Sequence, residues 1–86
     1  MYYVYVLVSI SKGTRYVGSA NDPEARLKEH NSGRCRYTSG RMPWKLVYIE
    51  NYGSRSEAMQ RERFLKSGQG RAQLDRIAQN NYSGVV

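Results

Sequence analysis

The rest of the chain is organised around the segment Arg15-Tyr16-Val17-Gly18-Ser19, which is followed by Asn21-Asp22-Pro23-Glu24-Ala25-Arg26 and then by His30. This segment predicts a short strand, a tight turn and a capped helix. Arg26 and His30 are four residues apart, so they share one face of that helix. The segment therefore predicts that a tyrosine, an arginine and a histidine lie close together.

The helix in this segment has clear start and stop signals. Aspartate at position 22 caps free backbone amides, and Pro23 suits the first helical position. The helix is predicted to run to about Asn31 and to stop at Gly33. Within the preceding strand, Gly18 is unusual, because a glycine there often marks a bulge or a close approach of another backbone or a ligand.

Length, charge and cysteine content limit the class of protein. The chain has 86 residues, which predicts one small domain over residues 1–86, with a frayed tail over residues 80–86. One cysteine, Cys35, excludes an internal disulfide framework and a multi-cysteine metal site. The apolar run at residues 1–8 is too short to span a bilayer and lacks the features of a signal peptide. We therefore expect a cytoplasmic protein without a membrane association.

The net charge is +7, from 14 basic and 7 acidic residues. Between Asn31 and Ile49 every charged residue is basic, and these residues are Arg34, Arg36, Arg41 and Lys45. A cluster of one sign attracts polyanions, of which nucleic acid is the commonest for such a domain. A solvated surface with no polyanionic partner is equally compatible with the charge alone.

Residue patterns predict the order of helices and strands. Residues 2–9 are apolar on both faces and predict a central strand, which joins the next strand through a hairpin with Gly13 in its turn. Residues 32–43 predict a surface loop, and 44–52 a third strand with Leu46 and Tyr48 on one side. Helices are predicted from residue 54 to about residue 66, with Gly68 at the end, and over residues 71–79. The fold class is thus α+β, a three-stranded, mainly antiparallel sheet flanked by helices in the order ββαβαα.

The helix predicted from residue 54 carries one carboxylate, that of Glu62, on its apolar stripe. Ala58, Glu62 and Leu65 follow helical spacing, which puts Glu62 on the core-facing side beside Phe64. A carboxylate there is costly unless a cation compensates it. The pattern favours a structural arginine over a metal ion as that cation.

These residues resemble the GIY-YIG nuclease domain, in its small single-domain bacterial form, similar to the amino-terminal nuclease module of the UvrC repair protein. The resemblance covers about residues 2 to 78. Its most specific parts are the segment Asn21 to Asn31 and the segment Glu62-Arg63-Phe64-Leu65-Lys66. Two positions depart from the family pattern. Tyr3-Val4 replaces the glycine and isoleucine of the first half-motif, and Leu74 stands where many relatives have an asparagine, a role that Asn80, Asn81 or no residue takes here.

The resemblance implies a metal-dependent endonuclease. Its implied catalytic residues are Tyr5, Tyr16, Arg26, His30 and Glu62. Glu62 would be the one protein ligand of Mg²⁺ (or Mn²⁺), an ion that fills its other positions with water and phosphate. Arg26 would bind the phosphoryl oxygens, and a tyrosine helped by the arginine, the metal and His30 would activate water. Tyr16 is favoured over Tyr5 for that role.

Tyr5, Tyr16 and His30, and also Tyr37 in the predicted loop, have simpler interpretations as well. Tyr5 and Tyr16 can be ordinary aromatic strand residues, and His30 can satisfy carbonyl groups at the end of its helix. Tyr37 can stack on an unpaired base while its neighbouring arginines contact phosphates, or it can lie against its own loop. The predicted nucleic-acid-binding residues are Gly18, Lys28, Arg34, Arg36, Tyr37, Arg41, Lys45 and Lys66.

The leading prediction is an endonuclease that cleaves DNA at branched, flapped or damaged structures, in repair or recombination. A domain this small has little surface with which to read a long sequence. The alternative is a nucleic-acid-binding or adaptor domain of the same fold with little or no activity. A protein-interaction module without nucleic acid is the third possibility. DNA is the expected partner, with a homodimer or a partner protein as a further source of specificity.

Overall fold

The structure is a computed structural model that describes residues 1–34 and 36–79, and its centre is one β-sheet. Three antiparallel strands, β1 (Tyr2–Ser9), β2 (Arg15–Ala20) and β3 (Trp44–Tyr52), form it in the order β2-β1-β3. The hairpin between β1 and β2 contains Gly13 at a φ of 76°, a conformation that glycine adopts at little cost. The predicted α+β class and the central position of the first strand are confirmed.

Within the described residues, four helices flank this sheet, α1 (Pro23–Asn31), α2 (Arg36–Ser39), α3 (Arg55–Leu65) and α4 (Gly68–Gln79). The predicted caps are present at α1 and α3. The carboxylate of Asp22 accepts a hydrogen bond from the amide of Ala25 at 3.1 Å, and the hydroxyl of Ser54 accepts one from the amide of Glu57 at 3.2 Å. Gly33 follows α1 with a φ of 82°, as its predicted role as a stop signal requires.

The turn between α3 and α4 is tighter than predicted. Gly68 begins α4 rather than ending α3, and α4 starts three residues before the predicted position. The hydroxyl of Ser67 accepts a hydrogen bond from the amide of Gly70 at 3.3 Å, which supplies a start signal for the helix. A side chain at Gly70 would overlap the backbone of Phe64 and Leu65, so the glycine permits this close approach.

The central strand contributes to an apolar cluster on each face of the sheet. Val4 and Val6 belong to one cluster, which holds the buried residues of α3 and α4: Ala58, Leu65 and Leu74. Tyr5 and Leu7 belong to the other cluster, with Trp44 and with Leu27 of α1. Alternate residues of one strand point to opposite faces, so α1 and the α3–α4 pair lie on opposite sides of the sheet.

Two local predictions are wrong. The register between β1 and β3 shifts between Val6 and Leu7, so Leu46 packs with one cluster and Tyr48 with the other, although their spacing predicted a shared side. A bulge of this kind breaks the two-residue period. The predicted loop at 32–43 contains α2, whose Thr38 is fully buried and accepts, through its carbonyl oxygen, a hydrogen bond from the Trp44 indole at 2.9 Å.

Some predictions fall outside the described residues, namely the frayed tail at residues 80–86 and the roles of Asn80 and Asn81. Among the described residues, no helix has both the length and the apolar composition that crossing a bilayer requires.

Candidate active site

Tyr5 and Gly18 lie side by side in the β1–β2 pair. The Tyr5 ring is almost completely buried, and its hydroxyl lies over the α-carbon of Gly18. Any side chain at position 18 would overlap the hydroxyl and the ring of Tyr5. The close approach predicted at Gly18 is therefore made by Tyr5, and this glycine positions a tyrosine rather than offering open space to a nucleic acid.

His30 connects this tyrosine to α2. Its Nε2 lies 3.4 Å from the Tyr5 hydroxyl, and its Nδ1 lies 3.0 Å from the hydroxyl of Thr38. Burial lowers the pKa of His30, the Arg26 charge lowers it further, and Glu29 only partly opposes the shift. A neutral imidazole has one donor and one acceptor nitrogen, so it can join the two hydroxyls in one hydrogen-bonded chain. The alternative in which His30 satisfies helix carbonyls is wrong.

Tyr16 completes a cluster of three rings. Its centroid lies 4.7 Å from that of His30 and 6.4 Å from that of Tyr5. Tyr16 is half-buried, whereas Tyr5 is buried. The predicted proximity of tyrosine and histidine is therefore present, and Tyr16 is the more accessible tyrosine of the pair.

Arg26 borders the same cluster. Its Nη1 donates to a Glu29 carboxylate oxygen at 2.8 Å, whereas its buried Nε has no hydrogen-bond partner among the described residues. Burial raises the pKa of Tyr5, and the Arg26 guanidinium beside its hydroxyl offsets only part of that effect. Tyr5 is therefore a neutral phenol at physiological pH, and its interaction with the Arg26 guanidinium raises the pKa of Arg26.

Glu62 approaches from α3, on the other side of the sheet. Its Oε1 accepts a hydrogen bond from the Ser19 hydroxyl at 2.6 Å, and its Oε2 accepts one from Lys66 Nζ at 2.7 Å. The predicted arginine partner is wrong, because a lysine one turn further along the helix and a serine of β2 take that place. Phe64 does not share the core-facing stripe either, since it is 37% exposed and its ring lies beside Arg61.

The ring cluster of Tyr5, Tyr16 and His30 and the Glu62 side chain meet around the free edge of β2. Lys66 Nζ bonds to Glu62 and also lies 5.9 Å from the Tyr16 ring centroid. The charge of Glu62 contributes to the raised pKa of Tyr5, so its field reaches the ring cluster. Ser19 lies next to Gly18 in β2 and faces α3, so one strand supplies both sides of the candidate site.

The residues around Glu62 fit a magnesium ion. Mg²⁺ prefers oxygen ligands, keeps several waters and uses one or two carboxylates together with substrate phosphate. The Glu62 carboxylate, which is 23% exposed, and the Ser19 hydroxyl are oxygen donors of this kind. In the described part of the chain, no group of three or more histidine, cysteine or acidic residues is placed to hold a metal. The arrangement thus suits a hard, largely hydrated cation better than zinc.

The predicted basic surface is only partly assembled. Six of the eight predicted nucleic-acid-binding residues are exposed, namely Lys28, Arg34, Arg36, Tyr37, Lys45 and Lys66. Arg41 instead lies over the Tyr37 ring, at 4.9 Å from its centroid, and donates to the Tyr37 carbonyl oxygen at 3.1 Å. Tyr37 is 59% exposed and lies 6.0 Å from the Tyr16 ring. Tyr37 therefore lies against its own loop on one side and close to the candidate site on another.

Sequence reasoning missed three contributors to this region. Ser19 binds Glu62, Thr38 binds His30, and Arg15 forms an ion pair of 2.9 Å with Asp75 of α4. Alternation in β2 places Ser19 on the same face as Val17, a signal that could have directed attention to it. Thr38 and the Arg15 partner depend on contacts between distant segments and left no local signal.

The chain is similar to known proteins in both sequence and structure. The model of the family described as "GIY-YIG catalytic domain" matches residues 1–75. A UPF0213 protein of Streptococcus agalactiae serotype V is 42% identical over 79 residues, covering 91% of this chain and 89% of its own. A UPF0213 protein of Natronomonas pharaonis is 44% identical over 77 residues, covering 88% of each chain. The solution NMR structure of a UPF0213 protein from Bacillus halodurans superposes with a TM-score of 0.53 at 37% identity, covering 90% of this chain and 85% of that one.

Proposed function

Because the chain belongs to the GIY-YIG nuclease family, with residues 1–75 matching the catalytic domain, we propose that it is a single-domain, metal-dependent endonuclease that hydrolyses DNA phosphodiester bonds. The observation that carries this proposal is the arrangement around β2. Tyr16, His30 and Arg26 lie on one side, and Glu62 approaches the same strand from the other side. Phosphodiester hydrolysis needs groups of these kinds to position water, to bind phosphoryl oxygens and to hold a cation.

Arg26 binds the scissile phosphate in this proposal. Its side chain is 43% exposed, and a non-bridging phosphate oxygen is an acceptor that suits a guanidinium. Its Nη1 is held by Glu29, which fixes the plane of the guanidinium. The group is thus oriented before substrate arrives, which favours stabilisation of the charge that develops on the phosphoryl oxygens.

Tyr16 acts as a phenolate, after it has lost its own proton to solvent, and then positions the attacking water and takes a proton from it. Burial raises the pKa of Tyr5, which makes Tyr5 a poor base and a suitable neutral hydrogen-bond partner. Tyr16 is half-buried and has the ammonium of Lys66 beside its ring. The difference in burial between the two tyrosines supports the assignment of the base to Tyr16.

His30 and Thr38 support this arrangement from behind. Because its pKa is lowered, His30 is neutral near pH 7, and its Nε2 can exchange a proton with the Tyr5 hydroxyl. The contact with Thr38 fixes the plane of the imidazole ring. We assign His30 to holding or moving a proton at Nε2 and Thr38 to positioning it.

Glu62 holds the divalent cation, with Ser19 as the neighbouring oxygen donor. When bound, the ion neutralises phosphoryl charge and lowers the pKa of coordinated water. Lys66 compensates Glu62 in the described structure, and its long, half-exposed side chain can move to a phosphate. Mg²⁺ or Mn²⁺ suits this set of oxygen donors.

The proposed substrate is branched, flapped or damaged DNA, as in repair or recombination. The test is to incubate the purified protein with labelled linear, branched and flapped DNA, with and without Mg²⁺, beside the Glu62→Gln variant. Metal-dependent cleavage that the variant lacks is the expected result. Salt-sensitive binding without cleavage, unchanged in the variant, would instead assign the chain as a nucleic-acid-binding adaptor.

A further inference from the structure

A cleft of about 610 Å³ opens beside the candidate active site, around the first residues of β2. Its floor is apolar and consists of Val17, Leu65 and Leu74. Tyr16 and Tyr37 form its aromatic side, with ring centroids 6.0 Å apart and planes tilted by 41°. A volume of this size and an apolar floor are typical of sites that bind a small molecule or one residue of a polymer.

The rim of this cleft is basic. Arg15, Lys66 and Arg71 line it, and no acidic residue does so in the described part of the chain. Arg15 is held in place by Asp75 at 2.9 Å, and its Nη2 also donates to the Arg71 carbonyl oxygen at 3.5 Å. An aromatic wall next to a basic rim matches the two parts of a nucleotide, a flat base and an anionic phosphate.

Tyr37 is the residue best suited to receive the base. It is 59% exposed, and the Arg41 guanidinium lies over its ring at 4.9 Å. This contact and the hydrogen bond from Arg41 to the Tyr37 carbonyl oxygen hold the ring in place. A ring that is already fixed loses little conformational freedom when a base stacks on it.

We propose that this cleft binds one unpaired nucleotide next to the scissile phosphate. The base stacks on Tyr37 beside Tyr16, and its phosphate is bound by Arg71 and Lys66. This proposal rests on the proposed endonuclease function and names its substrate class, namely DNA in which at least one base near the cleavage position lies outside the duplex stack. A fully paired duplex cannot place a base in the cleft without first extruding it.

The test measures binding in EDTA, so that cleavage does not contribute. A short duplex carries 2-aminopurine in a single-nucleotide bulge, and a fully paired duplex of the same flanking sequence is the comparison. The protein is expected to bind the bulged DNA about tenfold more tightly and to change the 2-aminopurine fluorescence. Tyr37→Leu should abolish this preference and the fluorescence change, and Arg71→Gln should weaken binding to the bulged DNA.

Two matched controls lie outside the cleft. Phe64→Leu removes another exposed ring and Arg63→Gln another exposed cation, and both variants should bind like the unaltered protein. Equal affinity for the two duplexes, or a preference that survives Tyr37→Leu, would overturn the proposal. Metal-dependent cleavage without a preference for the bulge would reject the cleft and leave the nuclease intact. Preference for the bulge without any cleavage would reject the nuclease and leave the cleft as a binding site.

Discussion

Glu50 of β3 bonds to α3 and Glu62 belongs to α3, and these two carboxylates are held in opposite ways. Glu50 of β3 accepts hydrogen bonds from Arg61 at 2.8 and 3.1 Å and from the hydroxyls of Tyr48 and Tyr52 at 2.7 Å each. Glu62 has two described partners, a serine and a half-exposed lysine. The side chain of Glu50 is 13% exposed and that of Glu62 is 23% exposed.

The partners decide what each carboxylate can do. Arginine binds Glu50 with two parallel N–H groups, which leaves little room for another cation. Burial and the hydrogen bond to Glu50 raise the pKa of Tyr48 and of Tyr52 to about 12, so neither tyrosine can act as a base. The Glu50 cluster thus fastens β3 to α3, whereas Glu62 is held by a flexible lysine that can leave. This difference supports a structural role for Glu50 and a functional role for Glu62.

The largest effect should come from Glu62→Gln. The variant keeps the size of the side chain and removes its charge, so cleavage should fall by about a hundredfold or more. The free energy of unfolding should change by less than about 1 kcal/mol, because the lost ion pair with Lys66 is partly exposed. Initial rates of cleavage and urea denaturation measure the two quantities. A variant that loses several kcal/mol of unfolding free energy but cleaves normally would reverse the roles assigned to the two carboxylates.

A comparable loss should follow from Tyr16→Phe, with Tyr52→Phe as the matched control at the Glu50 cluster. Removing a general base typically costs at least a hundredfold in rate, and DNA affinity should stay near normal. Tyr52→Phe should leave kcat unchanged, because the partner of its hydroxyl among the described residues is Glu50. Single-turnover cleavage and DNA-binding titrations separate the two quantities. Near-normal turnover in Tyr16→Phe would remove this tyrosine from the chemistry.

Glu50→Gln should show the reverse pattern, with a loss of stability at nearly unchanged kcat. Replacing the carboxylate leaves the half-buried Arg61 without its counter-charge, which should cost about 3 kcal/mol of unfolding free energy. In a domain of this size, that loss lowers Tm by more than about 10 °C. Thermal unfolding measures the shift, and cleavage is assayed well below the lowered Tm. A stable variant with impaired cleavage would place Glu50 in the functional site after all.

Local signals in the sequence predict part of this structure, whereas contacts between distant residues could not be predicted from it. The caps at Asp22 and Ser54 and the both-sided apolar pattern of β1 are local signals, and the elements that they predict are present. The convergence of Tyr16 and His30 followed from a strand, a turn and one helix face. Ser19 and Glu62 are 43 residues apart, so their contact depends on how α3 packs.

The Glu50 cluster was absent from the sequence prediction for a physical reason. The register shift between β1 and β3 moves Tyr48 to the side that α3 covers, where strict alternation would place it on the other side. Alternation places Tyr48, Glu50 and Tyr52 on one face of β3, but only the register shift decides that α3, with Arg61, covers this face. The contact between Thr38 and His30 was not predicted either, because α2 was predicted as part of an irregular loop.

The smallest expected effect is a loss of stability in acid, to which His30 of the candidate active site and Glu50 of the Glu50 cluster each contribute. The pKa of His30 is lowered from 6.5, so below pH 6.5 the unfolded chain binds a proton that the folded chain does not, and stability falls as the pH drops towards the folded pKa. Burial alone would raise the pKa of Glu50, but hydrogen bonds from Arg61 and the two tyrosines lower it below 4.5. Its contribution is present above pH 4.5 and is lost as the pH falls through the folded pKa.

Unfolding free energies measured by urea denaturation from pH 7.5 to pH 3 should therefore decline in two steps. Glu50→Gln should remove the lower step and keep the upper one, because His30 belongs to the other site. The NMR signal of the His30 ring gives an independent measure, with a titration midpoint below 6.5 in both proteins. A midpoint at or above 6.5 would show that burial does not lower the pKa of His30, and a midpoint above 7 would remove the neutral histidine from the proton-handling chain.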